Sequence, residues 1–138
     1  MKIVVDSNRV IASLIKEGTS REILFNKNFE FIAPSYIFSE IHKYKDYLIK
    51  KSNITEKDFE ILLSLVFENI RIIPNIEYDK FIQKFEKQID DKKDAPYLAL
   101  CFATNSKGVW THDPHFKKQN KIKIFTNIDL LKTMKEDD

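Results

Sequence analysis

The hydrophobic positions of the chain fall into two patterns, short blocks rich in β-branched residues and longer stretches with an apolar residue every three or four positions. The short blocks predict buried strands, which lie at residues 2–6, 29–34, 70–74, 108–113 and 122–125. The longer stretches have the periodicity of helices with one buried face. They lie at residues 7–18, 20–27, 35–51, 53–67, 77–89, 95–104 and 126–134, with a short helical turn at 114–120.

Capping residues predict where several of these helices begin or end. Gly18 predicts the end of the first helix as a C-cap residue. Ser20 predicts the start of the second helix. Thr55 stands before an acidic first turn and predicts an N-cap there, and either Thr126 or Asn127 caps the last helix.

The alternation of short apolar strands with helices predicts an α/β fold. We expect a parallel sheet of about five strands with helices covering both faces. The helix at 95–104 is apolar on nearly every side, so neighbours should bury it on more than one face. In such sheets ligands bind outside the carboxyl ends of the strands. Residues 1–134 are expected to form a single domain, and residues 135–138 a polar tail.

Composition narrows the class of protein. With 138 residues, of which 43% are hydrophobic, the chain is long enough for one core. Its only cysteine, Cys101, lies in an apolar run and should pack as a small core residue. The apolar run at the N-terminus is too short for a secretory signal, so a cytoplasmic location without export is expected. No stretch approaches membrane-spanning length, so no membrane partner is expected.

Three acidic residues are predicted at one edge of the sheet, and a fourth lies on a helix that follows the second strand. Asp6 and Asp113 follow the first and fourth strands. Asp94 opens the helix at 95–104, and Glu40 lies on the helix after the second strand. Singly, each aspartate is explained as a helix N-cap, and Glu40 as an exposed helix residue. Together the three aspartates would repel one another unless a cation lies between them, and oxygen ligands suit Mg²⁺ or Mn²⁺, which can activate water for attack on a phosphate.

The strongest motifs are four blocks: "VVDSNRVIASLIKEGTSREIL", "APSYIFSEIHKY", "DDKKDAPYLALCFAT" and "VWTHDPHF". In this order and spacing they resemble the motifs of the PIN-domain nucleases, of the small prokaryotic kind that includes VapC-type toxins. The similarity spans nearly the whole chain. It implies a three-layer α/β/α sandwich around the parallel sheet, and a divalent-metal-dependent ribonuclease with an acidic pocket.

The same resemblance assigns roles to the acidic residues. The family's four acids fall on Asp6, Glu40, Asp94 and Asp113. By this resemblance Asp6, Asp94 and Asp113 hold the Mg²⁺ or Mn²⁺ ion. Glu40 is then a ligand through water or the base that helps to activate the attacking water.

Further residues have supporting roles by the resemblance. Asn8 matches the polar partner that commonly follows the first acid, and Thr111 resembles the hydroxyl residue that orients the last acid or a water. Asp91 is either a metal contact through water or part of the exposed "DDKKD" turn, and the second interpretation is slightly favoured. His115 stands where relatives often have a second acid, so we expect one firmly held ion with a weaker second.

Basic residues around Asp113 are candidates for a rim that contacts substrate, and these are His112, His115, Lys117 and Lys118. Two histidines without a cysteine or a third histidine nearby favour contacts with substrate or solvent over metal binding. The formal net charge of +2 does not indicate any class of partner. The surface outside an acidic pocket would nevertheless be mildly basic. The clusters "HKYKDYLIKK" and "KKQNKIK" either line an approach for RNA phosphates or are exposed helix faces.

The leading hypothesis is an endoribonuclease. The resemblance implies single-stranded RNA as substrate, with 5′-phosphate and 3′-hydroxyl products, and names an antitoxin protein and a homodimer as candidate partners. One alternative is a catalytically weak PIN-like module that binds RNA or protein. A second alternative is a metal-dependent phosphoacceptor or phosphatase domain phosphorylated on Asp6, which ranks third because Thr111 is the only visible hydroxyl partner.

Overall fold

A computed structural model of the protein describes residues 1–15 and 18–136. Within these residues the chain forms five strands: β1 Lys2–Val5, β2 Glu30–Pro34, β3 Ile70–Ile73, β4 Val109–Trp110 and β5 Ile124–Phe125. All neighbouring strands pair in parallel, in the order β3-β2-β1-β4-β5. The predicted α/β fold with a parallel five-stranded sheet is therefore confirmed.

The described residues also form eight helices: α1 Ser7–Ile15, α2 Gly18–Leu24, α3 Ile37–Lys43, α4 Lys45–Ser52, α5 Glu56–Phe67, α6 Asp79–Glu86, α7 Ala95–Thr104 and α8 Asn127–Glu136. Short 3-10 turns precede α6 and α7 and follow β4, at Asn75–Glu77, Lys92–Asp94 and Pro114–Lys118. No helix within the described ranges combines the length and apolar character that a membrane crossing requires.

The helices cover both faces of the sheet. Connections between parallel strands are right-handed. The chain moves from β1 to β2 and β3 through α1–α5, and then crosses back to β4 through α6 and α7. These two groups of helices consequently lie on opposite faces, and the contacts agree, because α1 packs on α2, α4 and α5 whereas α6 packs on α7.

Helix α7 lies at the centre of the core. It contacts β1, β2 and β4 on one side and α6 on another. Leu98, Ala99 and Leu100 are fully buried, as the apolar sequence of this helix predicts. The αL conformation of Asn105 ends α7, with its backbone N–H donating to the carbonyl of Phe102. Burial on two sides fixes the position of the N-terminal end of α7 relative to the sheet.

Three predictions about where helices begin or end are wrong. The helix expected at 35–51 is two helices, α3 and α4, which meet at Tyr44 with φ −103° and ψ 6°. Gly18 does not end a helix but begins α2. Ser20 lies inside α2 instead of capping it, and its buried Oγ accepts a hydrogen bond from Arg9 Nη1 at 3.2 Å. The predicted end of the first helix includes residues 16–17, which lie outside the described residues.

Other local predictions hold. Thr55 caps α5, because its Oγ1 accepts a hydrogen bond from the Asp58 N–H at 3.0 Å. Thr126 caps α8: it exchanges two hydrogen bonds with Asp129, one from each backbone N–H to the other side chain. Helix α8 extends to Glu136, so half of the expected tail at 135–138 is helical, and residues 137–138 lie outside the described residues.

Candidate active site

The site lies where the direction of the chain across the sheet reverses, between β1 and β4. This is the position at which open parallel sheets leave a crevice at the carboxyl ends of their strands. The pairing of Val5 with Trp110 sets the register of the two strands. It brings Asp6, the residue after β1, next to Thr111, the residue after β4.

Thr111 connects the polar groups at this edge. Its Oγ1 donates a hydrogen bond to Asp6 Oδ2 at 2.7 Å. The same oxygen accepts from the Asp113 N–H at 3.0 Å and from Asn8 Nδ2 at 3.2 Å. Asp6 Oδ1 accepts from the Ser7 N–H at 2.8 Å. One buried hydroxyl therefore fixes the first and last predicted acids and Asn8 relative to one another.

Asp94 is brought to the same edge by α7. It precedes the first residue of α7, but its side chain makes no capping hydrogen bond. It is buried, with 9% of its surface exposed, and its Oδ2 has no hydrogen-bond partner among the described residues. A buried polar atom without a partner is rare in folded proteins. Capping therefore does not explain Asp94, and a ligand that supplies positive charge would.

Glu40 reaches the site from α3. Tyr97, fully buried on α7, donates a hydrogen bond from its hydroxyl to Glu40 Oε1. Burial, together with the nearby Asp6 and Glu40 carboxylates, raises the pKa of Tyr97 well above its usual range. The Tyr97 hydroxyl consequently stays protonated and remains a donor, which fixes the Glu40 carboxylate at the pocket.

The carboxylates share an environment that disfavours their charged forms. Burial raises the pKa of Asp6 from 3.8 to about 7, with repulsion from Glu40 and Asp113 adding to the rise. Burial also raises the pKa of Asp94 from 3.8 to about 7, with repulsion from Asp6, Asp113, Asp91 and Glu40 adding to it. The pKa of Glu40 is raised as well, chiefly by burial. Without a cation, part of this cluster is protonated at neutral pH.

These side chains line a cavity of about 430 Å³. Of the residues predicted for the site, the cavity contains Asp6, Asn8, Glu40, Asp91, Asp94 and Asp113. Asp91 also caps the turn before α7, where its Oδ1 accepts from the Lys93 N–H at 3.0 Å. The two interpretations of Asp91 are therefore compatible, since it both stabilises the local turn and faces the cavity.

The residues present fit a divalent cation by their chemistry. The donors are carboxylate oxygens, the type that Mg²⁺ and Mn²⁺ prefer, and buried Asp94 Oδ2 finds no partner in the part of the chain that the structure describes. As the side chains stand in the described part of the chain, no three or more histidine, cysteine, aspartate or glutamate residues form a group that could hold a metal ion. Carboxylates that repel one another would have to converge for such a group to form.

The predicted rim residues lie in different places. His115 Nδ1 lies 2.8 Å from Asp113 Oδ1, and the same oxygen accepts from the His115 backbone N–H at 2.9 Å. His112 and Lys117 line a separate, smaller cavity of about 110 Å³. Lys118 forms an ion pair with Asp90, and this pairing holds the positive charge of Lys118 outside the acidic cavity. The lysines that do line the acidic cavity are Lys43 and Lys93.

Sequence reasoning did not identify several residues of the cavity wall, namely Ser7, Tyr36, Ser39, Lys43, Tyr44 and Lys93. It also did not single out Tyr97. A signal for Tyr97 was available: a tyrosine in an otherwise apolar buried helix needs a partner for its hydroxyl. Helical spacing from Glu40 was the signal for Lys43 and Tyr44, which lie three and four positions further along.

The fold and the site together define an α/β protein with an acidic pocket at the switch point of a five-stranded parallel sheet. A family model described as PIN domain matches residues 4–129. The chain belongs to the PIN-domain family. PIN domains are generally nucleases that typically use divalent metals, so the chain has a nuclease-like fold. No curated protein matches the chain.

Proposed function

We propose that the protein is a metal-dependent endoribonuclease that hydrolyses RNA phosphodiester bonds at the acidic pocket with Mg²⁺ or Mn²⁺. The observation that carries the proposal is Asp94, whose buried Oδ2 has no hydrogen-bond partner in residues 1–15 and 18–136 and which lies beside other carboxylates. A carboxylate in this position is poorly suited to bind an anionic substrate alone. A cation shared with Asp6 and Asp113 removes both the repulsion and the unsatisfied oxygen.

The positions of the residues give each a different role in metal binding, proton transfer or orientation. Asp6, Asp94 and Asp113 would hold the ion, which when bound supplies charge neutralisation at the phosphate and a lower pKa for water. Glu40, with its pKa raised by burial, lies at the pocket where it could take a proton from the attacking water. Tyr97 orients Glu40 through its hydroxyl, and Thr111 holds Asp6 in place. The resemblance to known nucleases supports 5′-phosphate and 3′-hydroxyl products.

The test is cleavage of a mixed single-stranded RNA pool by the purified protein. Cleavage is measured with Mg²⁺, with Mn²⁺ and with EDTA, for the wild-type protein and for Asp94→Asn. A matched control is Asp58→Asn, which makes the same change at an exposed position in the first turn of α5, outside the cavity. We expect cleavage that requires metal, falls at least about 100-fold in Asp94→Asn and is unchanged in Asp58→Asn.

The control variant distinguishes loss of the metal site from contamination and from damage to the fold. Cleavage that survives both EDTA and Asp94→Asn comes from a contaminant or from another site, and it contradicts the proposal. Equal loss in Asp94→Asn and Asp58→Asn indicates damage to the fold, which the unfolding transition of each variant would reveal.

The alternative function is a PIN-like module that binds RNA or protein with weak catalysis. Asp113 favours this alternative, because one of its oxygens is already engaged by both the ring and the backbone of His115. Binding of the RNA pool without cleavage under any metal condition would support the module. His115→Asp would then be expected to increase metal affinity, measured by calorimetry.

A toxin role with an antitoxin partner, and a homodimer, rest on the resemblance to VapC-type toxins. Induced expression that arrests growth, and that Asp94→Asn abolishes, would support the toxin role. Co-purification with the product of a neighbouring gene that relieves the arrest would support the antitoxin. Sedimentation at several protein concentrations tests the dimer.

A further inference from the structure

One wall of the acidic cavity is a stripe of residues along α3 and its ends. The wall consists of Tyr36, Ser39, Glu40, Lys43 and Tyr44, all of which line the cavity. These positions follow the spacing of three and four residues that places side chains on one face of a helix. Glu40 is the acidic residue of this stripe. Lys43 and Tyr44, one turn further along, therefore lie beside the reacting centre.

Tyr44 presents an aromatic surface at this wall. Helix α3 ends and α4 begins at this residue. Tyr44 remains 44% exposed although it lines the cavity. Tyr36, by contrast, packs edge-on against buried Tyr97, with ring centres 6.5 Å apart. The acidic groups Glu40, Asp91 and Asp94 also raise the pKa of Tyr36, after burial. Tyr36 is therefore the inner end of the wall, and Tyr44 is the ring that an incoming group meets.

Two lysines accompany the ring. Lys43 Nζ lies 5.7 Å from the centre of the Tyr44 ring. Lys93, in the turn before α7, lines the same cavity, and its charge lowers the pKa of Glu40. Within residues 1–15 and 18–136 neither lysine forms an ion pair, whereas Lys45 is paired with Glu56 and Glu60 and Lys118 with Asp90. The cavity thus combines an acidic floor with two unpaired positive charges and an exposed aromatic ring.

We propose that this wall is a nucleotide subsite, in which an unpaired base of a single-stranded nucleic acid stacks on Tyr44 while Lys43 and Lys93 receive its phosphates. The inference rests on the proposed function and adds the residues that would bind the substrate beside the acidic centre. Stacking on an exposed aromatic ring requires a base that is not already stacked in a duplex. Lysines beside an acidic centre attract the phosphodiester that the acids alone would repel.

The experiment uses a short single-stranded RNA that contains 2-aminopurine, whose fluorescence falls when it stacks on an aromatic ring. Binding is measured with Ca²⁺ in place of Mg²⁺ to slow cleavage, for the single-stranded RNA, the matching single-stranded DNA and the RNA duplex. Tyr44→Ala and Tyr44→Phe test the ring. Tyr47→Ala is the matched control, because Tyr47 is 58% exposed on α4 and lies outside the cavity.

We expect Tyr44→Ala to weaken binding of single strands by roughly 5- to 150-fold and to abolish the quenching. Tyr44→Phe keeps the ring and should restore both. In cleavage assays Tyr44→Ala should raise KM with little change in kcat, because the ring contacts the substrate equally before and during reaction. Tyr47→Ala should leave binding unchanged. RNA binding that exceeds DNA binding assigns the subsite to RNA, and equal binding assigns it to single strands of either kind.

The lysines are tested through the salt dependence of binding. Lys43→Gln should reduce the slope of log Kd against log salt concentration by about 0.7, the value for one phosphate contact on a single strand. Lys50→Gln, at an exposed position on α4 outside the cavity, should leave the slope unchanged.

The outcomes separate this inference from the proposed function. If the wild-type protein cleaves RNA but Tyr44→Ala binds and quenches as the wild type does, the subsite is wrong and the nuclease stands. If the wild-type protein binds with quenching that depends on Tyr44 but never cleaves, the subsite stands and the nuclease is wrong. Duplex RNA that binds as well as single strands overturns the subsite, and the absence of any binding or cleavage overturns both.

Discussion

Replacing Asp94 by asparagine should stabilise the metal-free protein at pH 8. In the folded protein burial raises the pKa of Asp94 from 3.8 to about 7, and the other carboxylates add to the rise. Because the folded-state pKa is higher than the unfolded-state pKa, the native state binds the proton more tightly. The free energy of unfolding of the wild-type protein therefore falls as the pH rises from about 4 to about 7, and stays low above that range.

The size of the effect follows from this shift. The rise of the Asp94 pKa from 3.8 to about 7 corresponds to a destabilisation of the charged, folded form by about 4 kcal/mol. Asp6 shares part of this repulsion, so we assign about 3 kcal/mol to Asp94 at pH 8. The asparagine amide has no partner at the position of Oδ2, which costs about 1 kcal/mol. We therefore expect Asp94→Asn to raise the free energy of unfolding by about 2 kcal/mol at pH 8, with the gain vanishing near pH 5.

The assay is urea unfolding in EDTA at pH 5 and pH 8, followed by the fluorescence of Trp110. This residue is the only tryptophan and is fully buried, so its emission reports the core. The midpoint should move without a change in slope. Asp58→Asn is the control and should change the free energy of unfolding by less than about 0.5 kcal/mol. If Asp94→Asn leaves the stability unchanged or lowers it at pH 8, the carboxylate is not destabilised and the reasoning is refuted.

Three further variants test other parts of the site and sheet. Thr111→Val removes the hydroxyl that donates to Asp6, so urea unfolding should show a loss of about 1–3 kcal/mol, and the pKa of Asp6 should rise further. Tyr97→Phe removes the hydrogen bond that lowers the pKa of Glu40, so the acid limb of the rate–pH profile should move to higher pH. Gly108→Ala would place a methyl group 2.7 Å from a ring carbon on β5, so it should cost about 1–3 kcal/mol in thermal or urea unfolding.

Matched substitutions elsewhere give these predictions their controls. Tyr78→Phe removes a hydroxyl from another buried tyrosine, at the end of the turn before α6, and should leave the pH profile in place. Gly18→Ala adds a methyl group in the first turn of α2, where no described residue lies within 4 Å, and should be neutral or stabilising by up to about 1 kcal/mol. An equal loss in Gly18→Ala and Gly108→Ala would contradict the argument from close packing between β4 and β5.

The sequence predicted the features that depend on local periodicity. The five strands differ from the apolar blocks mainly in length, and α7 matches its prediction from Ala95 to Thr104. The position of Asp6 and Asp113 at one edge also followed, because parallel strands end at the same side of a sheet. Strand β4 is shorter than predicted, at Val109–Trp110. The Thr111 N–H still donates to the carbonyl of Phe125 on β5 at 3.2 Å, whereas residues 112–113 lie beyond the strand, and Thr111 and Asp113 turn their polar groups to the site.

The features that were not predicted depend on contacts between distant parts of the chain. Helices α3 and α4 divide at Tyr44, but tyrosine is not a helix-breaking residue. Packing rather than helix propensity therefore decides this division. Ser20 resembles a cap in sequence, but its hydroxyl accepts hydrogen bonds from Arg9 and Asn127, which lie 11 and 107 residues away along the chain. Lys118 follows the last acid closely, yet its ion pair with Asp90 directs it elsewhere. Sequence spacing alone does not reveal such partners.

The placement of Asp94 by α7 connects the stability of the core to the chemistry of the pocket. The N-terminus of a helix favours a carboxylate by up to about 1 kcal/mol, yet the pKa of Asp94 is raised to about 7, so burial and repulsion exceed that help. The side chain does not escape to solvent, because α7 is packed against the sheet and α6. The core therefore holds a carboxylate in an unfavourable place, a pattern found where function requires it. A cation bound there would remove the same destabilisation that the Asp94→Asn variant removes, so metal should stabilise the wild-type protein and affect the variant much less.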